Sequence, residues 1–206
     1  MEAVIVGDSF IEHLKSWMTI NSITLNFRDP AFKTVHFAGQ SGATSRTLAV
    51  RSLELPPNPV LAIVIVRGND YQSELEISPE DVARRVKVLC TNLKQERPSI
   101  KAVYILQIIP RYEDQRPIDR RRRWSMTVAQ ARRFQDWASQ VNIALDRLPQ
   151  TDDCKLKFWR CGFLMGRRNG NARPSVDVDG VHLNSRGQRN LFMVVKRILD
   201  HYKKYM

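Results

Sequence analysis

The sequence predicts an α/β fold in which a five-stranded parallel sheet lies between two layers of helices. Five short apolar runs alternate along the chain with segments that have helical spacing of their apolar residues. Some of the runs are continuously apolar and rich in β-branched residues, which is typical of strands covered on both faces. Strands and helices that alternate in this way are built from parallel βαβ units. We therefore expect a three-layer α/β/α sandwich formed by a single domain, residues 1–206.

The apolar runs predict five strands. These runs occupy residues 3–6, 33–38, 60–66, 100–109 and 154–159. The clearest are "VLAIVIV" and "AVYILQII", in which nearly every side chain is apolar. Runs of this composition favour a strand that has helices packed on both of its faces.

Capping residues and apolar spacing predict the main helices. Ser78 is a candidate N-cap, because Pro79 follows at the first turn and Asp81 stands three residues after the cap. Pro98 ends that helix. A longer pattern from about residue 121 to residue 148 repeats its apolar positions every three or four residues, so one face should pack on the sheet. A last helix is predicted over about 185–205.

The chain is long enough for one domain with a sizeable core. No stretch of about 18 apolar residues occurs, so no transmembrane helix is expected. The first strand begins at once, without a basic leader and a separate apolar region, so we expect no signal peptide. A chain that starts directly in its first strand is also what a domain excised from a longer protein would show.

The cysteines indicate an intracellular protein with reduced thiols. Cys90, Cys154 and Cys161 are odd in number and lack the spacing of a disulfide framework. A zinc site would need further Cys or His residues close in the sequence, and none is suitably spaced. We therefore expect a cytoplasmic or nuclear protein with no bound metal.

The net charge of +12, from 33 basic and 21 acidic residues, favours an acidic partner such as RNA or an anionic lipid surface. The densest basic cluster precedes the long helix, where cations oppose the helix dipole and so need another explanation, such as phosphate contact. Arg111 stands just before this cluster, which consists of Arg116, Arg120, Arg121, Arg122 and Arg123. The alternative is a solvated arginine surface that nearby acidic residues partly neutralise.

Polar residues follow the predicted strands at their carboxyl ends. Gly7, Asp8 and Ser9 follow the first strand, and "AGQSGATS" (38–45) follows the second. "GND" (68–70) follows the third, and "DVDGVHLN" (177–184) stands before the last helix. In open parallel sheets the ligand crevice lies beyond the carboxyl ends of the strands, so these segments should converge.

The chemistry of the converging residues is complementary. A serine hydroxyl such as that of Ser9 needs an adjacent base, and His182 can serve as that base. Asp179 can orient the imidazole and stabilise its charged form. Donors for an oxyanion can come from the Ser9 N–H, the Gly42 N–H and the Asn69 side-chain amide. Each residue also has a local explanation, as a helix cap, a turn former or a loop acid. His13, one turn after Ser9, could line the rim of the site, although a solvated helix position is favoured.

These four motifs, "GDS", "GQSGATS", "GND" and "DGVHLN", resemble the SGNH (GDSL-like) hydrolase family from residue 3 to about residue 200. The family is named for the Ser, Gly, Asn and His of four blocks, which here match Ser9, Gly42, Asn69 and His182. The resemblance implies a flavodoxin-like sheet, an acid at Asp179 and hydrolysis of carboxylic esters, thioesters, acetylated sugars or short-acyl phospholipids without a cofactor. Ala43, where many members have Asp, and Leu183, where many have Pro, leave substrate preference open.

The sequence therefore predicts a serine esterase that releases short acyl groups, often acetyl, from a small ester substrate. One alternative is a basic module that binds RNA or anionic lipid and carries a vestigial hydrolase site. Another is a thioesterase or long-chain lipase, which would need a long apolar groove. The basic, cysteine-poor chain also looks like the esterase domain in the first-open-reading-frame protein of some animal non-LTR retrotransposons. The oligomeric state cannot be predicted from these patterns.

Overall fold

The computed structural model describes residues 1–50, 54–66, 68–73, 77–116, 126–148, 155–162, 164 and 175–205. In these ranges the strands are β1 (Glu2–Gly7), β2 (Thr34–Gly39), β3 (Leu61–Ile65), β4 (Ala102–Leu106) and β5 (Lys155–Trp159). The helices are α1 (Ser9–Ile20), α2 (Ser45–Val50), α3 (Asn69–Ser73), α4 (Pro79–Glu96), α5 (Val128–Asp146) and α6 (Ser185–Tyr205).

All neighbouring strands pair in parallel, and the sheet order is β2-β1-β3-β4-β5. This order confirms the predicted five-stranded parallel sheet of flavodoxin-like topology. The strands are shorter than some of the apolar runs that predicted them. The run over 100–109, for example, pairs only from Ala102 to Leu106, although Ile108 and Ile109 are also buried. Burial therefore continues past the end of strand pairing.

The sheet separates two apolar cores. Alternate side chains of a strand point to opposite faces, so β1 sends Val4 to one core and Ile5 to the other. The core on one face includes side chains of α2, α4 and α5, and the core on the other face includes those of α1 and α6. The three-layer sandwich follows from this division, because strands β1, β3 and β4 must be covered on both sides.

The helix boundaries agree with the capping chemistry. The hydroxyl of Ser78 accepts a hydrogen bond from the backbone N–H of Asp81 at 3.0 Å, so α4 begins as predicted. The long helix does not begin near residue 121, because Thr127 caps α5 and forms a reciprocal capping box with Gln130. Arg120, Arg121, Arg122 and Arg123 lie outside the described residues.

No helix in the described ranges has both the length and the apolar character needed to cross a membrane.

The last residue of β1, Gly7, has no space for a side chain. A Cβ atom at this position would lie 2.2 Å from the carbonyl oxygen of Ile65 on the neighbouring strand β3. Asp8 then caps α1, because its carboxylate accepts a hydrogen bond from the backbone N–H of Phe10 at 3.1 Å. Gly7 and Asp8 therefore turn the chain from strand to helix and make Ser9 the first residue of α1.

We expect Gly7→Ala to lower the free energy of unfolding by about 1–3 kcal/mol, because backbone atoms of β3 must move to admit the methyl group. Chemical denaturation of the two proteins measures the difference. Gly162→Ala is the matched control, since a Cβ at Gly162 meets no atom within 4 Å. Equal stability of the Gly7→Ala protein and the wild type would show that β1 and β3 can separate without loss.

Candidate active site

A cleft of about 340 Å³ lies at the carboxyl edge of the sheet. It collects residues from segments that follow β1, β2, β3 and β4 and from the loop before α6. The lining residues are Asp8, Ser9, Ser41, Gly42, Asn69, Gln72, Arg111, Arg116, Asp179, Val181 and His182. The structure thus brings together all five residues that the sequence analysis named as nucleophile, base, acid or oxyanion donors.

Asp179 and His182 form a tightly held pair. The Nδ1 atom of His182 lies 2.6 Å from Oδ2 of Asp179. The other carboxylate oxygen accepts hydrogen bonds from the backbone N–H groups of Val181, at 2.8 Å, and His182, at 2.9 Å. An ionised carboxylate can only accept, so it selects the tautomer in which Nδ1 carries the proton and Nε2 can accept one.

The pKa of Asp179 is lowered by its hydrogen bonds. Partial burial of the carboxyl group acts to raise its pKa, but the hydrogen bonds from the His182 ring and from the two backbone N–H groups outweigh burial and hold the pKa well below its ordinary value. The carboxylate is therefore ionised at neutral pH and can stabilise a positive charge on the imidazole.

Ser9 enters the cleft from the start of α1. The first N–H groups of a helix have no partner within the helix, and they carry the positive end of its dipole. The buried carboxylate of Asp8 satisfies the Phe10 N–H, one residue beyond Ser9. The position of Ser9 at this helix start is suited to a hydroxyl that must attack and a backbone N–H that must stabilise negative charge.

Gly42 lies in a turn after β2, where the backbone N–H of Ala43 donates to the carbonyl of Gln40 at 3.1 Å. Its φ angle is +74°, a conformation that favours glycine. A Cβ here would meet nothing within 4 Å, so the backbone conformation rather than crowding explains the residue.

Asn69 links the turn at Gly42 to the start of α1. Its Nδ2 donates to the carbonyl oxygen of Ala43 at 2.9 Å and lies 3.4 Å from Oδ2 of Asp8. The amide thus contacts both the segment after β1 and the segment after β2. This places an amide donor beside the two loops that carry Ser9 and Gly42.

Asp70 holds the start of α2, three residues after Gly42, a role that sequence reasoning did not assign. The backbone N–H and the hydroxyl of Ser45 donate to its carboxylate at 3.0 and 2.5 Å, and Arg85 lies 3.7 Å away. Burial raises the pKa of Asp70, although the hydrogen bonds from Ser45 oppose that increase. The "GND" motif therefore supplies one residue to the cleft and one to its support.

Arg111 is not part of a basic surface. The residue follows β4 and lines the cleft, but only 2% of it is exposed. Its Nη2 atom donates to Oδ1 of Asn69 at 3.1 Å, and its guanidinium carbon lies 5.0 Å from the ring centroid of Phe134. The available signal was that Arg111 follows the fourth apolar run, 100–109, since residues beyond the carboxyl ends of the strands converge on the crevice.

Arg116 is the one member of the predicted arginine cluster that the described residues include. It lines the cleft, but its Nε and Nη2 atoms donate to the Asp114 carboxylate at 2.9 and 2.7 Å. Hydrogen bonding to Asp114 raises the pKa of the Arg116 guanidinium. An internal carboxylate thus already neutralises this arginine.

His13 combines the two positions considered for it, a solvated helix site and the rim of the cleft. The His13 side chain is exposed, and its ring centroid is 5.0 Å from that of His182. One helical turn separates His13 from Ser9, and this spacing directs both residues to the same side of α1. As for metals, the parts of the chain that the structure describes hold no group of three or more His, Cys, Asp or Glu residues suited to an ion.

We expect the Asp179 carboxylate to make stability depend on acid pH. Its pKa is lower in the folded than in the unfolded protein, so its contribution is complete above the unfolded value near 3.8 and is lost as the pH falls towards the lowered folded value. The free energy of unfolding should therefore fall more between pH 5 and pH 3 in the wild type than in Asp179→Asn. Denaturation at several pH values measures this, and parallel curves would contradict the ionised pair.

The sequence matches no protein-family model and no curated protein, but solved structures match nearly the whole chain. A GDSL-like lipase from Bacteroides thetaiotaomicron is 16% identical, with a TM-score of 0.63 over 98% of this chain and 88% of its own. A carbohydrate esterase family 3 protein from Talaromyces cellulolyticus is 16% identical, with a TM-score of 0.60 over 100% of this chain and 99% of its own. A phospholipase A1 from Streptomyces albidoflavus is 15% identical, with a TM-score of 0.56 over 95% of this chain and 98% of its own. The chain therefore has the α/β fold of GDSL-like hydrolases.

Proposed function

We propose that the protein is a serine esterase of the SGNH type that hydrolyses short-acyl, acetyl-type carboxylic esters. The observation that carries the proposal is the Asp179–His182 pair, joined at 2.6 Å in one cleft with Ser9, Gly42 and Asn69. The hydrolase fold of the solved relatives supports the same reaction class, and so does the order of the four motifs along the chain.

In the proposed reaction, the Oγ of Ser9 attacks the ester carbonyl carbon while Nε2 of His182 accepts the hydroxyl proton. Collapse of the tetrahedral intermediate breaks the bond to the alcohol oxygen, and His182 returns the proton to that leaving group. A water molecule then attacks the acyl carbon while His182 takes its proton. Collapse of this second intermediate breaks the bond to Oγ of Ser9, His182 returns the proton to Oγ, and the carboxylic acid is released. Asp179 stabilises the imidazolium in both halves of the reaction.

Three donors are proposed to stabilise the tetrahedral oxyanion. They are the backbone N–H of Ser9 at the helix start, the backbone N–H of Gly42 and Nδ2 of Asn69. Donors held in place before the reaction stabilise the developing charge without the cost of reorganisation. The hydrogen bonds of the Asn69 amide and the buried Ser45–Asp70 contact supply that rigidity.

The walls of the cleft favour a short acyl group over a long chain. Val181 contributes the one apolar side chain among the described lining residues, and polar groups such as Ser41 and Gln72 make up the rest. A more apolar groove lies between α5 and β5, but it shares no lining residue with this cleft. A long-chain lipase or thioesterase would need apolar surface that continues from the nucleophile.

A binding module with a vestigial site is the competing proposal, and the ordered Asp179–His182 pair argues against it. Contact between the basic surface and RNA or anionic lipid stays a prediction from the charge of the sequence, as does the narrower likeness to retrotransposon esterase domains. Of the cluster invoked for that contact, Arg116 is bound to Asp114.

We expect Ser9→Ala to reduce hydrolysis of p-nitrophenyl acetate at least about a thousandfold while leaving thermal stability nearly unchanged. A serine-directed phosphonate should add its mass to the peptide that contains Ser9. Ser139→Ala is the matched control, because it removes an exposed hydroxyl on α5 outside the cleft. Full activity in Ser9→Ala, or a label on another residue, would reject Ser9 as the nucleophile.

We expect kcat/KM for p-nitrophenyl esters to fall by about tenfold or more from acetyl to octanoyl, because a long chain would lie against polar walls or in water. Initial rates for esters of two, four, six and eight carbons, each corrected with the Ser9→Ala protein, give the trend. A preference for octanoyl would favour the lipase alternative.

A further inference from the structure

Arg111 is the largest side chain that the described part of the protein buries almost completely. The guanidinium carbon of Arg111 lies 5.0 Å from the ring centroid of Phe134. The backbone carbonyl of Arg111 accepts a hydrogen bond from Nε2 of Gln135 at 2.9 Å. Burial of a cation is costly unless the surrounding groups compensate for the lost hydration. The surroundings of Arg111 at the floor of the cleft therefore need a physical explanation.

Three residues that act on the Arg111 guanidinium line the cleft. Its Nη2 donates to Oδ1 of Asn69 at 3.1 Å, and the carboxylates of Asp8 and Asp179 are close enough to stabilise its charge. Burial lowers the pKa of the guanidinium to about 10, while the two carboxylates oppose that shift. Arg111 therefore stays a cation at neutral pH, and its charge is balanced within the site.

The contact with Arg111 determines the orientation of the Asn69 amide, that is, which of its two ends is the oxygen and which the NH₂ group. The oxygen and the NH₂ group of an asparagine have almost the same shape but opposite hydrogen-bonding roles. With Oδ1 bound to Arg111, Nδ2 is directed to the Ala43 carbonyl at 2.9 Å and towards Asp8 at 3.4 Å. A flipped amide would set donor against donor at Arg111 and oxygen against oxygen at Ala43.

We propose that Arg111 is a positioning residue that holds the Asn69 amide with its N–H, rather than its oxygen, available to the developing oxyanion. This inference rests on the proposed esterase function and adds a residue to it. The long contact between Nδ2 and Asp8 is the one that an oxyanion can replace, while the shorter bond to Ala43 keeps the amide in place. Arg111 acts through Asn69 and does not touch the reacting atoms.

Direct binding of an anionic substrate group is the other role open to a cation in a cleft. The guanidinium is hydrogen-bonded to Oδ1 of Asn69, and the nearby carboxylates of Asp8 and Asp179 would repel an anionic substrate group, which argues against that role. The two roles differ in kinetics. A residue that positions an oxyanion donor acts on kcat, whereas a residue that binds substrate acts on KM.

The experiment is a double-mutant cycle with p-nitrophenyl acetate, a neutral ester, on wild type, Asn69→Ala, Arg111→Met and the double variant. Arg111→Met should lower kcat by about 10- to 100-fold, which does not exceed the roughly 100- to 1000-fold loss for removal of a whole oxyanion donor, and should leave KM within about twofold. In the Asn69→Ala background, Arg111→Met should lower kcat by less than about threefold, because the amide that Arg111 positions is already absent.

Two variants separate this role from general stability. Arg97→Met removes another arginine, which donates to the backbone carbonyls of Leu55 and Pro56 away from the cleft, and it should keep full kcat. Arg111→Lys keeps the charge but not the planar fork, so it should fold even if Arg111→Met does not, and its kcat should still fall. The proposal would be overturned if the kcat losses of Asn69→Ala and Arg111→Met multiply in the double variant. A change in KM with kcat unaltered would overturn it as well.

A measurement without substrate keeps the proposal separate from the esterase function. The side-chain amide signals of Asn69, identified by their absence from the NMR spectrum of Asn69→Ala, should move in Arg111→Met and Arg111→Lys but not in Arg97→Met. If wild type and Ser9→Ala are equally inactive, the proposed function fails, and the Asn69 signals still decide the role of Arg111. Signals that stay in place in both Arg111 variants would overturn it.

Discussion

The side-chain amide of Asn69 holds three separate parts of the chain in one geometry. It contacts the Ala43 carbonyl after β2, the Asp8 carboxylate after β1 and the Arg111 guanidinium after β4. An amide has a donor end and an acceptor end, so these contacts specify its orientation as well as its position. The arrangement of the cleft depends on this group, because it joins segments that the sheet brings near each other but does not itself connect.

Buried charge is the second constraint on the site. Asp8, Asp70 and Arg111 are almost fully buried, and each contacts a polar group from another segment. Such groups contribute little net stability, because their desolvation offsets most of the attraction. Arrangements in which one of these buried charges loses its partner are, however, much higher in free energy. A cleft supported in this way is suited to hold donors fixed before a reaction.

The positive charge of the chain and the chemistry of the cleft are separate features. Within the cleft, Arg111 is balanced by Asp8 and Asp179, and Arg116 by Asp114. Arginines outside it, such as Arg132 and Arg133 on the exposed side of α5, account for more of the excess charge.

By itself, the sequence determined the parallel sheet, because continuous β-branched runs between amphipathic helices have few other ways to bury their side chains. The sequence also determined which motifs meet, since the carboxyl ends of parallel strands share one edge. Only the tertiary structure showed that Arg111, which the sequence placed beside a surface cluster, is buried against Asn69 and Phe134, and that the ring of His13 lies beside that of His182. Whether an arginine is solvated or buried depends on side chains such as Phe134 and Asn69 that are distant in sequence, and local pattern carries no information about them.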